Sequence, residues 1–199
     1  MDLWDHTSSA EMAPYTTITT WHNKGKDVVY KGDRYYWTKD REFERFLDLP
    51  RRRTAVPFEL AVGVPDDVRA RLDENGWRQR RSIDLSGSVT GYRDFIQRSR
   101  GEFTVARDQY VRPRTGWFSD RSACYLAAGR PVITEDTGFG KFIPTGDGLF
   151  AFTTMDDVLA AVDAIESDYD RHCHAARDIA ESHFGAERVV QSLMTRAGL

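Results

Sequence analysis

A doubly wound parallel α/β sheet of about six strands, flanked by helices and carrying a β-hairpin insertion, is the fold that the sequence predicts. Short β-branched or apolar runs alternate with amphipathic segments along most of the chain, the pattern of a parallel sheet with both faces covered. Six such runs remain once a glycine-centred hairpin is set aside, a number that suits the strand order 3-2-1-4-5-6. In that order strands one and four are neighbours whose connections diverge, and the loops that follow them here are both polar and basic.

Each element has its own signal. Thr16–Trp21 (Thr-Thr-Ile-Thr-Thr-Trp) is β-branched and reads as the first strand. Asp27–Tyr30 and Arg34–Trp37 flank Lys31-Gly32-Asp33 at hairpin spacing. Asp40–Leu49 carries Phe43, Phe46 and Leu47 at helical spacing, and Pro50 is expected to stop it. Phe58–Val62 is the second strand, and Asp66 is expected to cap a helix with Val68 and Leu72 that ends at Gly76. Trp77–Ile83, although rich in Arg and Gln, reads as the third strand, and Ser88–Ser99 as a helix with Tyr92, Phe95 and Ile96 on one face. Glu102–Ala106 is the fourth strand, followed by a long loop to Gly116. Ser119–Ala128 is helical, and Pro131–Thr134 and Leu149–Phe152 are the last two strands. Thr153 or Thr154 caps a helix carrying Val158, Leu159, Val162 and Ile165. Two more helices, about Tyr169–His183 and Ala186–Arg196, close the chain.

With 199 residues the chain is one domain or one domain with a tail, divided here into a linker-like segment 1–15 and a Rossmann-like domain 16–199. A net charge of −3 from nearly balanced acids and bases argues against a nucleic-acid binder. Cys124 and Cys173 lack the neighbours of a zinc knuckle and are too few for a disulfide framework, so both are expected to be reduced thiols. No apolar run approaches the ~20 residues of a membrane span, and Met1–Pro14 lacks a signal-peptide core. A soluble cytoplasmic protein is the expectation.

The two basic loops point to an anionic ligand. His22, Lys24 and Lys26 follow the first strand; Arg107, Arg112 and Arg114 follow the fourth. The second loop runs into a helix start at Ser119-Asp120, where free N–H groups and the positive end of the helix dipole form a phosphate site.

The stretch Thr115–Val132 (Thr-Gly-Trp-Phe-Ser-Asp-Arg-Ser-Ala-Cys-Tyr-Leu-Ala-Ala-Gly-Arg-Pro-Val), then Ile133–Gly140, Pro144–Phe150 and an Ala-rich helix, resembles the carboxyl-terminal domain of GT-B glycosyltransferases. The upstream segment Tyr36–Pro50 looks like a narrower bacterial subgroup of them, and the resemblance covers about residues 16–190. It implies a domain that holds a nucleotide diphosphate sugar, such as a UDP- or dTDP-sugar, in a cleft facing a second domain. The phosphate and nucleotide contacts would come from Lys26, Arg112, Arg114, Gly116, Ser119, Asp120 and Arg121. Glu135, Asp136, Thr137, Gly138, Phe139, Gly140 and Lys141 would lie near the sugar. Gly116 would let the backbone approach the diphosphate, the amides of Phe118–Arg121 would bind its oxygens, and Arg114 or Arg121 would offset charge on the leaving group. The scheme requires no metal and no cofactor.

The chain departs from that family in two ways. Many GT-B enzymes carry two glutamates eight residues apart around this helix, whereas Gly116 and Cys124 hold those positions here; Asp120, one turn before Cys124, would be the substitute on the same face. Met1–Tyr15 is also too short to be an acceptor-binding domain, so a separate acceptor-binding domain or a homodimer would complete the cleft. The alternative is a non-catalytic ligand-binding or partner-subunit module derived from such a domain. A nucleotide-binding oxidoreductase is disfavoured, because the turn after the first strand has only Gly25 in place of Gly-x-Gly-x-x-Gly.

Other signals have plainer readings. Neighbouring residues on a helix diverge, so His172-Cys173-His174 reads as a solvated helix face rather than a metal site, and His183 and His6 likewise. Cys124 reads as a small core residue. Arg51–Arg53 and Arg78–Arg81 read as surface runs, the latter guarding an edge strand. Trp21, Trp37 and Trp117 border the proposed ligand loops, with core packing the commoner role for any one of them.

Overall fold

The computed structural model describes Trp4 and residues 12–199; the rest of the linker-like segment, and His6 with it, lies outside the described residues. In chain order the elements are β1 (Tyr15–Ile18), the hairpin β2 (Val28–Tyr30) and β3 (Asp33–Tyr35), α1 (Asp40–Glu44), α2 (Leu49–Arg52), β4 (Phe58–Ala61), α3 (Asp66–Glu74), β5 (Arg78–Arg80), α4 (Ser82–Ser86) and α5 (Val89–Gln97). β6 (Gly101–Thr104), α6 (Asp108–Val111), α7 (Asp120–Ala127), β7 (Val132–Glu135), a 3₁₀ turn at Phe139–Lys141, β8 (Leu149–Phe152), α8 (Met155–Ser167), α9 (Tyr169–Phe184) and α10 (Ala186–Ala197) follow.

The strands form one sheet in the order β5-β4-β1-β6-β7-β8, with every pairing parallel. With the hairpin set aside, this is the 3-2-1-4-5-6 order that the sequence pattern predicts. β1 is central, with Tyr15 opposite both Phe58 and Gly101. Alternation along each strand sends side chains into two cores. On one face Phe58, Phe103 and Phe152 pack with Phe43, Phe46, Leu72 and the Val158–Val162–Ile165 stripe of α8. On the other, Val132 and Leu149 pack with Tyr125, Leu126, Ala176 and Ile179.

Several boundaries differ from expectation for identifiable reasons. Pro50 does not stop a helix; it occupies the first turn of α2, where a missing N–H costs nothing. Asp66 is the first helical residue of α3, after Pro65 at the cap. Trp77 belongs to the end of α3 rather than to a strand. Its amide bonds Leu72 O and that of Gly76 (φ +87°) bonds Asp73 O, the two bonds of a Schellman stop, which leaves only Arg78–Arg80 to pair with β4. The same stop closes α7, through Gly129 N to Leu126 O and Arg130 N to Tyr125 O, so Ala-Ala-Gly-Arg is a helix ending with a physical cause. Ser82–Ile83 start α4, and the long loop before Gly116 contains α6. Thr154 caps α8 with Asp157 in a reciprocal box.

His172 is fully buried, which corrects its reading as a solvated helix residue. The amide of Gly148, at the entry to β8, donates to its Nδ1 at 3.1 Å. Gly148 has φ +70°, and a Cβ there would lie 2.3 Å from the Ala176 nitrogen, so the turn is pressed directly against α9. Gly148→Ala combines overpacking with a disfavoured φ. It should cost about 3 kcal/mol or more, hence roughly 6–12 °C in Tm for a domain of this size, read by calorimetry. Burial, and then the Arg171 charge, lower the His172 pKa below 6.5. A depressed histidine contributes stability that is present above its unfolded value and lost as pH falls below it. Unfolding free energy should therefore decline below about pH 6.5, and His172→Asn, whose amide oxygen can replace Nδ1 as acceptor, should flatten that decline.

Candidate functional site

The site lies beyond the carboxyl ends of β1 and β6, where the strand order reverses. After β1 the chain runs through the hairpin and returns to its starting point. The Trp21 carbonyl accepts from Lys39 N (3.2 Å), Asp40 N (3.0 Å) and Thr38 Oγ1 (3.1 Å), while the Trp21 ring stacks on Phe43. This pinch sets Lys39 at the wall of a cavity of about 390 Å³. His22 beside it pairs with Asp40 through Nδ1 at 2.8 Å. The hairpin is held against α6: the Tyr36 amide donates to Asp108, and Gln109 Nε2 donates to the carbonyls of Lys26 and Tyr35.

The cavity lining carries three cations, Lys39, Arg107 and Arg121, eight serines and threonines, and no carboxylate. Arg121 is internally committed. Its Nε donates to Glu102 at 2.5 Å, Nη1 to the Ile18 carbonyl and Nη2 to Thr104 Oγ1, both at 2.8 Å. Lys39 differs, since its ammonium has no hydrogen-bond or ion-pair partner among the described residues. Burial, followed by the nearby charge of Arg121, holds its pKa well below the usual lysine range; Arg107 adds to the lowering, while Glu102 and Glu135 pull the other way. The Arg107 guanidinium lies over the Trp37 ring at 3.8 Å, and its buried Nε has no hydrogen-bond partner. Two cations thus face the cavity without a counter-charge of their own.

Opposite them α7 begins. Among the described residues, the amides of Phe118, Ser119, Asp120 and Arg121 find no backbone acceptor, and Ser119 makes no side-chain cap. The loop before α7 is sewn to the loop after β7. Gly116 N donates to Thr137 O at 2.8 Å, Thr137 Oγ1 to Trp117 O at 2.5 Å, and Arg114 (φ +52°) to Asp136 at 2.9 Å. Asp136 also accepts from Gly138 N at 2.7 Å. Tyr110 and Trp117, both at the cavity, stack at 4.8 Å with their planes 16° apart, and Trp117 is 45% exposed.

Of the residues singled out from sequence, Arg107, Trp117, Ser119, Arg121 and Thr137 line the cavity. Gly116 and Asp136 brace its rim through the bonds just described, while Arg114 and Asp120 are exposed beside it. Arg112 instead turns to the hairpin, bonding Asp108 and the Arg34 carbonyl, and Lys26 sits over Trp37 at 5.2 Å. Glu135 is buried behind the cavity, accepting from Arg45 (2.8 Å) and the Ala106 amide (3.0 Å). Burial and the neighbouring Glu42, which shares Arg45, raise its pKa to about 7. Gly138 and Phe139 are buried in the turn after β7, Phe139 in the core, and Gly140 and Lys141 are exposed there. Reading the sequence missed Lys39, Tyr110, Ser82 and Ser86. Lys39 falls inside the Tyr36–Pro50 segment that carries the family resemblance, which was the available signal. Among the described residues there is no cluster of three or more His, Cys, Asp or Glu placed to hold a metal, and no helix long and apolar enough to cross a membrane.

The crystal structure of TarM superposes over 96% of this chain with a TM-score of 0.59 at 10% identity, and that of the GtfA/B complex over 96% with 0.51 at 14%. Both are GT-B glycosyltransferases. The fold is that of a single GT-B domain. The chain spans 37% and 38% of the length of those chains, and no protein-family model and no curated protein matches its sequence.

An anion in the cavity would restore the proton on Lys39. Affinity for inorganic pyrophosphate should therefore fall as pH rises through the lowered Lys39 pKa, by up to about tenfold per unit above it. Binding should also take up protons, seen as a dependence of the calorimetric enthalpy on buffer ionisation heat. Both effects should vanish in Lys39→Met.

Proposed function

We propose that this domain binds a nucleotide diphosphate sugar and is the donor-binding half of a glycosyltransferase, transferring a hexosyl group to an acceptor held by another domain or subunit. The observation that carries the reading is the acid-free cavity at the strand-order reversal, with unpartnered cations on one side and a helix N-terminus on the other. A diphosphate placed between them would accept from the Phe118–Arg121 amides and neutralise Lys39 and Arg107. The same donors would stabilise the charge that develops on the diphosphate as the glycosidic bond breaks. Arg121 acts in this scheme mainly through Glu102, holding the start of α7 against the sheet. The Tyr110–Trp117 stack at the mouth offers a platform for the base, and Asp136 and Thr137 stand at the rim where the sugar would emerge.

The cavity volume lies within the range of about 300–1,000 Å³ usual for small-molecule sites, and no cofactor or metal enters the scheme. A second wall is part of it. Val28, Val29, Tyr30, Trp117 and Phe142 are large exposed apolar groups on the hairpin and loops around the site, and one structure on which this chain superposes, GtfA/B, is a complex.

One observation favours a second reading. No carboxylate lines the cavity and the family's glutamate pair is missing, so a module that binds the nucleotide without catalysing transfer fits the same lining.

Titration calorimetry with UDP, dTDP and GDP separates the outcomes. One nucleotide should bind saturably, and Lys39→Gln or Arg107→Ala should each weaken it by about 10- to 100-fold, the worth of a charged hydrogen bond. Arg188→Ala, on the exposed terminal helix α10, should leave affinity unchanged. Absence of binding by all three nucleotides would overturn both readings. Binding without turnover, once a complementing acceptor domain is supplied, would select the second.

A further inference from the structure

A second cavity, of about 210 Å³, lies on the face of the sheet under α4 and α5, with the edge strand β5 on its open side. Parallel register sets Thr16, Glu59 and Arg78 side by side across β1, β4 and β5. Arg80, two residues on, points to the same face. Arg98, at the end of α5, enters from above.

Three guanidinium groups therefore share this cavity with one carboxylate. Glu59, almost wholly buried, is taken by Arg80 Nε at 2.6 Å. Arg98 uses its Nε on the Asp94 carbonyl at 3.0 Å, leaving its terminal nitrogens. Arg78 makes no hydrogen bond or ion pair among the described residues. The floor is a buried hydroxyl pair, Thr16 Oγ1 and Ser99 Oγ at 2.6 Å, with Tyr125 OH 2.6 Å behind Thr16. The three arginines are exposed, as an edge guard would be, but they converge on one concavity that carries two positive charges in excess and hydroxyl groups at its base.

The geometry points to a second binding site, for a single phosphate group, held by Arg78, Arg98 and Arg80 and separate from the cavity at the end of β1. The volume is below that of sites for drug-sized ligands, so the ligand is inorganic phosphate or the phosphate of a small monoester whose remainder stays outside. The free guanidinium of Arg78 and the terminal nitrogens of Arg98 supply N–H donors matched to phosphate oxygens. Helix α4 lies between the sites, with Ser82 and Ser86 lining the first and Leu85 the second.

The test is an amide-resolved NMR titration of the full chain with inorganic phosphate and, separately, with a hexose 6-phosphate. Saturable shifts are expected at Gln79, Arg80 and Ser99, persisting in Lys39→Gln and reduced at least tenfold in affinity by Arg78→Gln and by Arg98→Gln. Tighter binding of the monoester would assign the site to sugar phosphates, and equal or weaker binding to the free ion. Arg78 is exposed and makes no described bond, so its variant should fold as the parent does. Failure of both ligands to move these amides, or shifts unchanged in both arginine variants, would overturn the inference, whatever the outcome of nucleotide binding at the first site.

Discussion

Glu102 is wholly enclosed at the middle of the sheet, and its charge is tolerable there because Arg121 reaches it from the first turn of α7. Taking either ion out of water alone costs several kcal/mol, and removing one partner of such a pair typically costs about 3–5 kcal/mol. The same guanidinium also bonds the last carbonyl of β1 and a threonine of β6. One side chain thus closes the seam where the strand order reverses and fixes the start of α7 over it. The position of the helix amides over that seam depends on this contact.

Because Glu102 cancels Arg121, the cavity's unbalanced charge rests on Lys39 and Arg107. Arg107 opens the basic loop that precedes Gly116, whereas Lys39 lies far from it in sequence. Lys39 arrives through the hairpin's return to the Trp21 carbonyl, and Arg107 is fixed by lying on Trp37, a residue of the same excursion. The hairpin is therefore part of the site's construction. It brings a lysine to the end of β1 and holds it without an ion-pair partner among the described residues.

The loops after β6 and β7 perform a different task. The Gly116 amide donates to the Thr137 carbonyl and the Thr137 hydroxyl to the Trp117 carbonyl, so the Gly116 amide is already used and the glycine's freedom serves a tight crossing of two loops. Asp136, bonded to both Arg114 and Gly138, stiffens the same crossing. What these residues give the site is a rigid rim, on which Trp117 is held against Tyr110.

The sequence by itself determined the alternation of strands and helices, the six-strand order, the helix stops at Gly76 and Gly129, and the location of a basic site beyond the first and fourth strands. Those features follow from local periodicity, capping and turn chemistry, which a linear pattern records. Tertiary structure decided which basic residues face the cavity. Arg112 went to Asp108, Arg121 to Glu102 and Glu135 to Arg45, while Lys39 was left alone. His172, polar in sequence, was buried as the acceptor for a single amide. Partner choice depends on which charges are desolvated together: Arg112–Asp108 is a local i,i+4 pair, but Arg121–Glu102 and Arg45–Glu135 join residues 19 and 90 positions apart, beyond the reach of a local pattern.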